Sequence, residues 1–123
     1  WRRVENSPRL RTPDVNGCIR GMEFWWELKE MPKWTRPEEP FLIEHYTREQ
    51  RLWLRARGLS GGRAFLFLRI VKPRTFLLFD WQFAYHYVGR VTQAELERNA
   101  ILRQLGEFDP HEVIRVMRLY GSM

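Results

Sequence analysis

Residues 13–29 read PDVNGCIRGMEFWWELK, and their interpretation decides what kind of protein this is. Within Pro13–Arg20, Val15 and Ile19 around Gly17 suit a short strand or turn. Arg20-Gly21 suits a tight hairpin. Met22–Leu28, with Phe24, Trp25 and Trp26 at its centre, is bulky enough for a strand buried on both faces. If the two strands pair, Asp14 and Glu27 come to the same end of the sheet. Glu27 and Lys29 are two apart, so strand alternation puts them on one face. Two carboxylates and an ammonium are therefore expected to converge on one spot. Hard oxygen ligands of this kind suit Mg²⁺, which keeps open positions for water and phosphate oxygens. A metal-bound water is more acidic and the metal offsets charge on a scissile phosphate, while Lys29 is placed to orient that water or to stabilise the transition state. Phosphodiester hydrolysis is the chemistry these residues suggest.

Outward from this stretch, Trp1–Glu5 reads as a short strand or element end. Glu30–Pro40, with Pro32, Pro37 and Pro40, reads as a loop or flap. Thr47 and Gln50 fit a capping box, followed by Leu52, Trp53 and Ala56 at helical spacing and a stop at Gly58. After Ser60-Gly61-Gly62, Arg63–Val71 and Thr75–Asp80 are apolar and aromatic enough to be strands. The remainder reads as helical. Thr92 and Glu95 cap a helix carrying Leu96, Ala100 and Leu105 and ending at Gly106, and Asp109, Pro110 and Glu112 start another carrying Val113, Val116, Met117 and Tyr120. The expected fold is α/β: a mixed β-sheet flanked by helices over residues 1–80, with a helical extension over 81–123 packed on the same domain.

Composition bounds the function. The chain has 123 residues, one domain's worth, and 44% apolar with 15% aromatic content excludes disorder. With 29% charged residues it contains no apolar run near the ~20 residues that span a bilayer. A single cysteine, Cys18, forbids an intrachain disulfide and points to a reducing, cytoplasmic setting. No stretch resembles a signal peptide, and a start at Trp1 rather than Met reads as a trimmed or incomplete N terminus. Twenty-one Lys and Arg against 15 Asp and Glu leave a net charge of +6, so nucleic acid is the first partner to test, a solvated basic surface being the alternative.

The pattern Pro13-Asp14…Glu27-Leu28-Lys29 resembles the PD-(D/E)xK nuclease superfamily. Together with Val4-Glu5-Asn6 and Phe24-Trp25-Trp26, it looks like the VRR-NUC branch of small phage and structure-specific endonucleases, over roughly residues 1–80. The resemblance implies a restriction-endonuclease-like core with metal ligation by Asp14 and Glu27, the Leu28 carbonyl as a further ligand and Glu5 as an additional contact. It also implies a catalytic role for Lys29, and for Gln50 near the site. Mg²⁺, with Mn²⁺ able to substitute, is the implied cofactor, and DNA, branched or Holliday-junction DNA in particular, the implied substrate. A homodimer through the Thr92–Tyr120 tail is the corresponding assembly. The chain departs from the pattern in having Thr12 where relatives carry Gly before Pro-Asp. It also has a Pro-rich insertion whose Arg36 bears on substrate selection.

Each residue has a plainer reading. Glu5 is also explained as a surface carboxylate, and Gln50 as a helix cap. Arg48, Arg51 and Arg55 share a helix face that suits a phosphate backbone, or simply water. His45 and Tyr46 are candidates to line the site. His86 and His111 have no acidic or Cys partner at ligand spacing, which disfavours zinc. Trp25, Trp26, Phe65 and Phe67 read as core rather than base-stacking platforms. A nuclease acting on linear DNA, and a binding module with an inactive core, are the competing functions.

Overall fold

The structure is a computed structural model and describes Arg2–Arg3 and residues 15–121. Glu5 and Asp14 lie outside the described residues. The elements run β1 (Arg2–Arg3), β2 (Val15–Ile19), β3 (Met22–Lys33), α1 (Arg48–Leu59), β4 (Ala64–Lys72), β5 (Thr75–Asp80), α2 (Trp81–His86), α3 (Gln93–Asn99), β6 (Leu102–Leu105) and α4 (Pro110–Gly121). The strands form one sheet in sequence order, β1-β2-β3-β4-β5-β6. Every neighbouring pair is antiparallel except β3–β4, which α1 connects as a parallel crossover. The chain is therefore α/β with a mixed sheet flanked by helices.

The β2–β3 hairpin forms where expected. Arg20 and Gly21 both have positive φ, 49° and 80°, as a two-residue type I′ connection requires. Its register pairs Val15 with Trp26 and Gly17 with Phe24. A Cβ at Gly17 would stand 2.3 Å from the Phe24 ring, so the ring occupies the space that a side chain would take.

Alternation along the strands builds two cores. On one face Leu66, Leu68, Leu77 and Phe79 pack with Leu54 of α1, Ala84 of α2 and Leu96 of α3. On the other, Phe24, Trp26, Phe65, Phe67 and Leu78 pack with Val113, Val116 and Met117 of α4. Trp26 and Phe65 are thus core, as expected.

Two expectations differ from the structure. First, β3 runs past Leu28 to Lys33 and includes Pro32. Trp25 donates its N–H to the Arg63 carbonyl on the β4 side, so alternation turns the nitrogen of Pro32 away from β4 and the β3–β4 ladder loses no donor there. The following stretch is tied down: Phe41 is buried, meets the Trp34 ring in a tilted contact at 4.8 Å between centroids, and donates its N–H to the Val91 carbonyl. Second, the helix capped by Thr92 stops at Asn99, and Leu102–Leu105 form an edge strand against β5 instead of continuing helical to Gly106. Leu102 and Gln104 are buried while Arg103 and Leu105 are exposed, a period of two that a helix cannot satisfy. Trp81–His86 is a helix, within the stretch expected to be helical, with Asp80 as N-cap accepting from Gln82 N at 3.1 Å. The C-terminal third therefore supplies helices to both faces and a strand to the sheet.

Candidate active site on the helical face of the sheet

Trp25 and Met31 of β3 face the core beneath α1, and alternation places Glu27 and Lys29 on that same face, opposite Leu66 and Leu68 of β4. Lys29 Nζ lies 3.3 Å from Glu27 Oε2, and their side chains are only 8% and 1% exposed. Lys29 Nζ also donates to the His45 carbonyl at 2.7 Å. His45 has a φ of 63°, a left-handed conformation uncommon outside glycine, and its carbonyl meets the ammonium from just ahead of α1. The next residue, Tyr46, is buried and donates its hydroxyl to Ala84 at 2.8 Å. Burial raises the Tyr46 pKa well above its ordinary value, the Arg51 guanidinium 4.2 Å from the ring centroid opposes this, and the charge of Glu27 adds to it. His45 and Tyr46 thus do adjoin the pair, the first through its backbone.

Arg51 points inward. Leu54 is the buried residue of α1, whereas Leu52 is 41% exposed, so the helix presents the Arg51–Leu54 side to the core rather than the Leu52–Ala56 side expected from apolar spacing. The guanidinium donates to Ala84 at 3.0 Å, to Tyr85 at 3.2 Å and to Val88, closing the C-terminal end of α2. Burial lowers its pKa. Arg51 therefore does not lie with Arg48 and Arg55 on an outward face. Those two are exposed, with Arg55 5.5 Å from the Tyr85 ring centroid. Arg36 is exposed in the segment after β3 and pairs with Glu39 at 3.6 Å.

Gln50 completes the capping box with Thr47. Its Oε1 accepts from Thr47 N at 2.9 Å, and its own N–H donates to the Thr47 hydroxyl at 3.2 Å. The capping explanation accounts for both contacts.

As for metal donors, the described residues contribute one buried carboxylate, Glu27, and the backbone of Leu28. Because Trp25 N–H faces β4, the polar backbone groups of Leu28 face the β2 side of β3. Asp14 and Glu5 lie outside the described residues. Asp14 directly precedes Val15, whose partner Trp26 directly precedes Glu27. Among the described residues no three His, Cys, Asp or Glu side chains gather into a ligand set. The donors are hard oxygens, which fit Mg²⁺ or Mn²⁺ and not a thiophilic ion.

No protein-family model matches the chain, and no curated protein is detectably similar to it. Among the described residues no helix is long and apolar enough to cross a membrane.

A second feature lies on the other face of the sheet. On the α4 face, a cavity of about 480 Å³ opens beside β3, lined by Trp26, Phe67, Phe76 and Phe108 and by the Glu30–Arg69 ion pair. The alternate spacing of Trp26, Leu28 and Glu30 was the signal for it. Phe108, from a connection without regular structure, was not foreseeable.

Proposed function

We propose that the chain is a metal-dependent endodeoxyribonuclease that hydrolyses a phosphodiester bond in DNA. The observation that supports this most is the Glu27–Lys29 pair, a carboxylate and an ammonium 3.3 Å apart on one face of β3, within the Pro-Asp…Glu-x-Lys spacing. Burying two charges costs several kcal/mol per ion in round terms, so such a pair is expected where its chemistry is used. In this reading Asp14, Glu27 and the Leu28 carbonyl, with Glu5 as an additional contact, hold Mg²⁺. The ion supplies an activated water and offsets charge on the phosphate. Lys29 holds the water or the developing oxyanion through its Nζ, and Glu27 fixes where that Nζ lies. Arg48, Arg55 and Arg36 are the outward guanidiniums available to the phosphate backbone.

Branched DNA is the proposed substrate, with a two-fold dimer to make paired incisions. Leu119 and Tyr120 are the exposed apolar residues that α4 offers to a second copy. A second reading is a DNA-binding module in which Glu27 and Lys29 form a purely structural pair. It is favoured by their closure to solvent beneath His45 and Tyr46.

The test is cleavage of a labelled four-way junction and its linear duplex with Mg²⁺ or Mn²⁺. The parent chain is expected to cut, and Glu27→Gln and Asp14→Asn to lose at least about a hundredfold in rate. Preference for the junction supports the branched substrate. Binding of both DNAs without cutting supports the structural pair.

A further inference from the structure

We propose that the aromatic cavity on the α4 face is a stacking pocket for an unpaired nucleobase. Its walls are Trp26, Phe67, Phe76 and Phe108, with Trp26 and Phe67 at 4.9 Å, Phe67 and Phe108 at 5.8 Å, and Phe76 and Phe108 at 5.2 Å between ring centroids. The first three are at most 8% exposed, whereas Phe108 is 37% exposed and forms the wall that faces solvent. About 480 Å³ falls within the ~300–1,000 Å³ typical of small-molecule pockets. A large apolar ring left at the surface beside such a volume is suited to stacking on a base, which presents a π-face whatever its identity.

The charge around the cavity selects the occupant. Arg69 stands at its mouth, 3.2 Å from Glu30, whose charge it offsets. Arg74 lies 5.5 Å from the Phe76 ring centroid and has no carboxylate partner among the described residues. A phosphate flanking the base would pair with Arg74, and an apolar peptide would gain nothing from that cation. A single strand fits both features, with a base in the cavity and a phosphate at Arg74.

The inference shares a partner with the nuclease reading but not its chemistry. Lys29 borders the cavity, but the aromatic walls lie on the face of β3 opposite the Glu27–Lys29 ion pair, and occupancy of the cavity needs no metal. It is therefore tested in EDTA, with the full chain and a fluorescein-labelled 12-mer of thymidylate, by anisotropy. An abasic strand of the same length and a 12-bp duplex are the comparison probes. The parent should bind the thymidylate strand more tightly than the abasic one. Phe108→Ala should weaken thymidylate binding by about tenfold and leave duplex and abasic binding within about twofold. Phe108→Leu keeps apolar volume without the π-face and should weaken it in the same direction, which separates stacking from a folding defect. Equal binding of thymidylate and abasic strands, or a folded Phe108→Leu that binds thymidylate like the parent, would overturn the proposal. So would an apolar peptide displacing the strand from the parent while Phe108→Ala leaves strand binding intact. Loss of cleavage with this binding pattern intact would overturn only the nuclease reading.

Discussion

At the scale of single residues, Glu27 and Lys29 depend on each other. Each is nearly closed to solvent, so removing one leaves the other as an uncompensated buried charge, at a cost of about 3–5 kcal/mol. Lys29→Met is expected to lower unfolding free energy in urea by roughly that amount, and combining it with Glu27→Gln to recover part of the loss. A double-mutant cycle checks this, and a coupling below about 0.5 kcal/mol would mean that the two groups do not act as a pair. That they share a face was legible in the sequence, because a strand's alternation needs only the residues themselves. Their burial was not legible. It comes from the His45 carbonyl and from Tyr46, sixteen or more residues along the chain, and from a left-handed turn at a histidine that no local signal announces.

At the scale of elements, capping chemistry was the most legible layer. Thr47 with Gln50 and Thr92 with Glu95 both form complete capping boxes, since each needs only four consecutive residues. Helix ends and orientations depended on partners far away in sequence. The helix after Thr92 gives way to β6 because β5 offers an edge to pair with. The inward side of α1 is set by Arg51 reaching the carbonyls of Ala84, Tyr85 and Val88. Arg51 therefore acts as a tie between α1 and α2. Arg51→Ala leaves these carbonyls without a charged donor and opens space beside Tyr46, and is expected to cost about 2–3 kcal/mol. A lowered thermal midpoint with early loss of amide protection in residues 81–88 is the expected observation. Unchanged protection there would show that the guanidinium is dispensable to α2.

At the scale of the whole molecule, the sheet separates two environments. One face of β3 carries a closed ion pair beneath α1 and the stretch before it, and the other carries an open aromatic cavity beside α4. The α/β class was legible, because strand-like runs flank a capped helix and a parallel β3–β4 pair needs such a crossover. The sixth strand and the aromatic cavity were not, since both need the C-terminal third to fold back on the sheet.

The claim that Glu27 belongs to a metal centre is best examined without any substrate, by titrating the full chain with Mn²⁺ and measuring free Mn²⁺ by electron paramagnetic resonance. Glu44→Gln, at an exposed position, serves as the charge control. The expected result is that the parent and Glu44→Gln bind alike, while Glu27→Gln, shown to be folded by near-ultraviolet circular dichroism, binds at least about tenfold more weakly. A folded Glu27→Gln that binds Mn²⁺ as the parent does, or a parent that binds none, would contradict it.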